Sequence, residues 1–98
     1  MEKPILRWIE ALPILHEGSE MILLRDTEDI ADKSLVVSRN AAFLLSMMDG
    51  TRTIADIQTE YMKASGEMIH IEQIQQFIDA MDANLFLLSD NFTRHLQS

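Results

Sequence analysis

The stretch from Ser38 to Ile57, SRNAAFLLSMMDGTRTIADI, leaves the chain few choices of fold. Nearly every side chain from Ala41 to Met48 is apolar, so a helix there must be buried around most of its circumference. Ser38 is placed to cap its amino end. Asp49 and Gly50 follow, and a glycine closes a helix in the left-handed conformation without a Cβ penalty. Thr53 and Asp56 then have the spacing of a capping box, which starts a second helix. Two helices joined by a short turn, apolar sides inward, form the core of a helix-turn-helix unit. Such a unit serves nucleic-acid binding or plain scaffolding. No catalytic constellation falls within it.

Charge argues against the first of those uses. Sixteen acidic residues against eight Lys and Arg give a formal net charge of -8. Between Lys63 and Arg94 there is no Lys or Arg, while Glu67, Glu72, Asp79, Asp82 and Asp90 fall in that interval. Phosphate neutralisation supplies most non-specific nucleic-acid affinity, so a recognition helix without Lys or Arg is a poor fit to a groove, and no nucleic-acid partner is expected. A chain of 98 residues makes one domain that buries roughly two-thirds of the surface its unfolded form exposes. The 47% hydrophobic content is too high for disorder. No apolar run approaches the ~20 residues that span a bilayer, and MEKPILRWIEALP lacks the pattern of a signal peptide, so a cytoplasmic protein without a membrane partner is expected. The absence of cysteine removes disulfides, thiolate metal sites and cysteine nucleophiles.

Taken in order, Pro4 to Glu10 is a short amphipathic lead-in whose Trp8 is expected to act as a packing lid. Ala11 to His16 reads as a strand that Pro13 confines to an edge, Glu17 to Ser19 as a turn, and Glu20 to Asp26 as the returning strand of a hairpin. A charged connection follows, tacked down by Ile30. Ser34 to Ser38 is a third, β-branched strand. The second helix runs from Ile54 to about Ala64, with Ile54, Ile57, Tyr61 and Met62 inward, and Gly66 ends it. Ile71, Ile74, Phe77, Ile78, Met81 and Leu85 then fall on one face of a third helix, and Asn84 is the residue expected to take the left-handed position at its end. Phe86 to Ser89 reads as one more strand. The tail from Asp90 to Ser98 loses its periodicity and is expected to fray, with Phe92 anchoring its start. Most of the seven methionines are expected in the core. The fold class is α+β, winged-helix-like, with a small antiparallel sheet packed on a three-helix bundle.

LVVSRNAAFLLSMMDGTRTIADI followed by IEQIQQFIDAMDANLFLL resembles the PqqD-like family, the small domains also called RiPP recognition elements. Asp49 and Gly50 with Thr53 and Asp56 are the distinctive part. The resemblance implies a peptide-binding module that hands a peptide to a partner enzyme. The peptide would add beside the strand that precedes the first helix and lie against the third helix. Mapped onto this chain, the walls are Leu35, Val36 and Val37 on one side and Ile74, Gln75, Ile78, Asp79 and Asp82 on the other. A negative potential from Glu72, Asp79 and Asp82 would favour a cationic peptide. A second likeness lies in LRWIEALPILHEGSEMILLRDTEDIADKSLVVS, which is similar to the amino-terminal extension that some Memo-type proteins carry ahead of a larger domain. That likeness implies a structural domain that docks on a partner protein or forms a homo-oligomer, with Trp8 and the tail as contact surfaces.

Catalysis is not expected. The carboxylates at 28, 29 and 32 and at 79 and 82 sit in polar surroundings where solvated charge explains them. His16, His70 and His95 lack the paired spacing of a metal site, the three glycines are turn or cap residues, and no cofactor is expected.

Overall fold

The computed structural model describes residues 3–28 and 34–97, so the expectation for Ile30, and those for the acids at 29 and 32, lie outside the described residues. The first two strands, β1 (Glu10–His16) and β2 (Ser19–Arg25), pair antiparallel, with Glu10 opposite Arg25 and His16 opposite Ser19. Their loop is two residues long. Glu17 and Gly18 both have positive φ, 51° and 82°, the combination that lets a two-residue loop follow the right-handed twist of its strands. A third strand, β3 (Ser34–Val37), pairs with the other side of β2, giving the sheet order β1-β2-β3.

Among the described residues four helices follow: α1 (Arg39–Ser46), α2 (Ile54–Ser65), α3 (Ile71–Ala83) and α4 (Asp90–Gln97). The architecture is α+β, a small antiparallel sheet beside a helical layer. The expected caps are in place. Ser38 Oγ accepts the Ala41 N–H at 3.1 Å, Thr53 and Asp56 exchange both capping-box bonds, and Gly66 closes α2 in the left-handed conformation. Leu44, Leu45, Met48, Ile57, Tyr61, Ile74, Ile78, Met81, Phe86 and Leu87 fuse into one core, reached from the sheet by Leu24.

Several expectations are corrected. The link between α1 and α2 is not a tight turn. It runs through residues 47–53, and Gly50 (φ 85°) lies beyond the cap of α1, where its N–H donates to the Pro4 carbonyl at 3.1 Å. A Cβ there would meet Ile5 Cγ1 at 3.0 Å, so this glycine serves close approach of the lead-in more than helix termination. At the end of α3 it is Leu85 (φ 65°), not Asn84 (φ -91°), that turns left-handed. Residues 86–89 do not form a strand of the sheet. Leu87 makes a single antiparallel bridge with Leu6, while Ile5 bridges Asp49. The lead-in therefore threads between two segments, with Leu6 N–H on the Met48 carbonyl at 2.7 Å, Arg7 N–H on that of Phe86 at 2.9 Å, and Leu88 N–H on that of Ile5 at 2.8 Å. The tail does not fray into coil but forms α4, started by the Ser89 hydroxyl accepting the Phe92 N–H at 3.3 Å and held by buried Phe92. Trp8 is not a lid: 79% of it is exposed, as is 77% of Met68, whereas Met47, Met48 and Met81 are buried.

Candidate functional site

The two walls of the expected peptide groove do not meet as the resemblance implies. In β3 the side chains alternate, Leu35 and Val37 half-buried against the core and Ser34 and Val36 exposed. In α3, Ile74 and Ile78 are 0% and 2% exposed. They are core residues, and a ligand reaches neither without opening the domain. Gln75 is half-buried and its amide donates to Asp79 at 2.9 Å. Asp82 accepts the Ser89 hydroxyl, and its backbone carbonyl accepts from the Asn91 amide at 3.0 Å. Of the eight residues, only Val36 and Asp79 present an exposed side chain. Physical reason accounts for the loss: α3 turns its apolar stripe toward α2 and α4, so Ile74 and Ile78 point away from solvent. The free side of β3 remains. No strand pairs with that edge among the described residues.

The sheet carries a second feature that alternation within each strand gives away only after the register is known. Residues directly opposite share a face. Leu12 lies opposite Leu23, Leu23 opposite Val36, and Ile14 opposite Met21. These five make one apolar face. The other face bears Leu24, Ile22, Leu35 and Val37 and packs toward α1 and the core. Leu12, Ile14, Met21, Leu23 and Val36 belong neither to the core nor to the side chains packed on it, and Leu12 and Val36 are exposed. An antiparallel sheet with one solvated face ordinarily has polar side chains there. Here both faces are apolar. At the hairpin tip, Pro13, Leu15, Ile22 and Arg39 line a shallow groove of about 440 Å³.

Behind the sheet lies a polar node that sequence reading missed altogether. Arg7 is buried and forks onto Asp26, with Nη2 to Oδ2 at 2.9 Å and Nη1 to Oδ1 at 3.3 Å. Its Nε donates to the Leu85 carbonyl at 2.6 Å, and the guanidinium carbon stands 4.6 Å from the centre of the Phe92 ring. Its position in an amphipathic heptapeptide gives no sign of burial, because its partners come from the residue after β2, from the turn after α3 and from α4. The node is structural, tying four segments together. At the surface, the Thr51 hydroxyl and then its N–H hold the Asp49 carboxyl below its ordinary value of 3.8, helped by Arg52.

Comparison with known proteins bears on the whole of this domain. A protein of Aquifex aeolicus (strain VF5) described as a MEMO1 family protein is 34% identical over 95 residues, 97% of this chain. The chain spans about a quarter of that relative, 24% of its length. The likeness thus runs through the helices as well as through the strands and lead-in from which the Memo resemblance was read. No protein-family profile matches the chain, and no solved structure matches it. The PqqD-like resemblance rests on its sequence motifs alone. No helix among the described residues is long and apolar enough to cross a membrane.

Proposed function

We propose that this domain is a non-catalytic docking module, the counterpart of the amino-terminal extension of a Memo-type protein, and that it binds the larger domain of such a protein. The observation that carries the reading is the match of 97% of the chain to a segment of a MEMO1 family protein about four times as long. The three histidines lie apart, His16 at the end of β1, His70 before α3 and His95 in α4, each exposed. The test is a titration followed by NMR chemical shifts, which detects weak association. The 98-residue protein should respond to the Aquifex protein from which the matched segment has been deleted. It should not respond to the intact protein, whose own segment fills the place. Silence toward both refutes the reading.

A second reading, peptide capture by strand addition in the PqqD-like manner, is favoured by the edge of β3, with which no strand pairs among the described residues, and by Val36 exposed on it. Burial of Ile74 and Ile78 leaves that reading without its apolar pockets. A basic peptide would then gain about 0.2 to 1 kcal/mol from each exposed acid it met on α3, too little to replace those pockets. Binding of a lysine-rich strand peptide that weakens with salt and is abolished by Val36→Asp would bring it to the front.

A further inference from the structure

We infer that the outer face of the sheet, Leu12, Ile14, Met21, Leu23 and Val36, is the surface by which this domain docks on the folded remainder of a Memo-type chain. The inference rests on the docking reading above and adds to it the place of contact. Direction, size and charge select this face and this occupant.

The first is direction. A sheet recruits partners by its edges or by its faces. Edge β1 carries Pro13, which has no N–H to donate, and edge β3 is only four residues long. Neither edge offers a long ladder to a partner. The outer face instead offers five contiguous apolar side chains across all three strands. Neighbouring polar groups leave its centre free of charge, since Arg25 and Glu10 pair with each other at 3.1 Å on the rim of that same face.

The second is size. Strands of four and seven residues, at a rise of ~3.3 Å and a spacing of ~4.8 Å, give a footprint on the order of 300 Å². Stable interfaces between separate chains bury roughly 800 Å² on each side. A patch this small holds an untethered chain only weakly, within reach of a chemical-shift titration and short of a stable dimer. It does suffice when the partner is tethered, because a short linker raises the effective concentration to the millimolar range. In the Aquifex relative the counterpart of this domain shares one chain with the remaining three-quarters of the protein.

The third is charge. Two copies of a chain with net charge -8 repel as they approach. A partner of different sequence is not bound to carry that same charge.

Hydroxyl-radical labelling of side chains tests the inference on intact proteins and needs no variant. In the free 98-residue protein, Leu12, Leu23 and Val36 should label readily, as should Trp8 and Met68. In the intact Aquifex protein, the counterparts of Leu12, Leu23 and Val36 should be protected severalfold, and that of Met68 should not. If the sheet-face counterparts label equally in both proteins while the Trp8 counterpart is protected, docking uses the lead-in. The inference then falls and the docking reading stands. If nothing on the segment is protected in the intact protein, both fall. Sedimentation of the 98-residue protein closes the remaining route. A dimer in which the sheet face is already protected gives that face to a second copy and overturns the inference.

Discussion

Arg7 and Asp26, nineteen positions apart, face each other as a two-pronged ion pair with side chains 2% and 1% exposed. Removing one partner of such a pair strands the other charge in a dry site, at a cost of about 3–5 kcal/mol. Arg7→Met should therefore lower stability by that amount in urea unfolding. The joint replacement of Arg7 by Met and Asp26 by Leu should lose less than the sum of the two single changes. Additive losses would show that the pair acts through packing alone. Phe92→Leu, which removes the ring beneath the guanidinium, should cost about 1 kcal/mol beyond the loss of buried area.

Gly18 and Gly50 have nearly the same φ, 82° and 85°, in different surroundings. Alanine at either position adopts a left-handed conformation at a cost of about 1–2 kcal/mol. At Gly18 nothing lies within 4 Å of the added Cβ, whereas at Gly50 Ile5 Cγ1 and Cδ1 stand at 3.0 and 3.2 Å. Gly50→Ala should be the more damaging of the two, and Ile5→Ala in the same chain should relieve the excess. Equal urea midpoints for the two alanine variants would show that Ile5 is not seated on Gly50.

Asp49 supplies a pH dependence of known sign. Its carboxyl is held below its ordinary value by the Thr51 hydroxyl, the Thr51 N–H and Arg52, so the folded state favours the ionised form. That contribution is fully present above the unfolded pKa of about 3.9 and is lost as the pH falls through the lower folded value. The melting-temperature difference between the native protein and Asp49→Asn should hold steady from neutrality to about pH 4 and close below it. A difference that persists at pH 2 assigns the effect to something other than ionisation.

Ile78 and Val36 separate core from surface. Ile78→Ala should cost about 2–5 kcal/mol, because it opens a cavity between helices. Val36→Ala, on the outer sheet face, should stay within about 0.5 kcal/mol in the isolated domain. A large loss at Val36 would mean that part of the chain already covers that face.

What the sequence determined by itself was local. Ser38, the pair Thr53 and Asp56, and Gly66 punctuate the helices as expected, because a cap is a bond between groups three or four positions apart. Ile57 and Tyr61 were legible as the inward side of α2, and both are buried. The hairpin and the third strand were legible as short apolar, β-branched runs set off by the turn at Glu17 to Ser19. Tertiary structure decided the rest. Nothing near Arg7 in sequence announces its burial, for Asp26, Leu85 and Phe92 reach it from three other segments. Gly50 reads as a helix stop until Ile5 is found against it, and the left-handed turn after α3 falls to Leu85, whose carbonyl Arg7 grips. The peptide groove failed because helical periodicity says which side chains share a stripe and not whether that stripe faces the core or solvent. The apolar outer face of the sheet emerged only with the register. Leu12, Leu23 and Val36 lie far apart along the chain, and strand pairing alone brings them together.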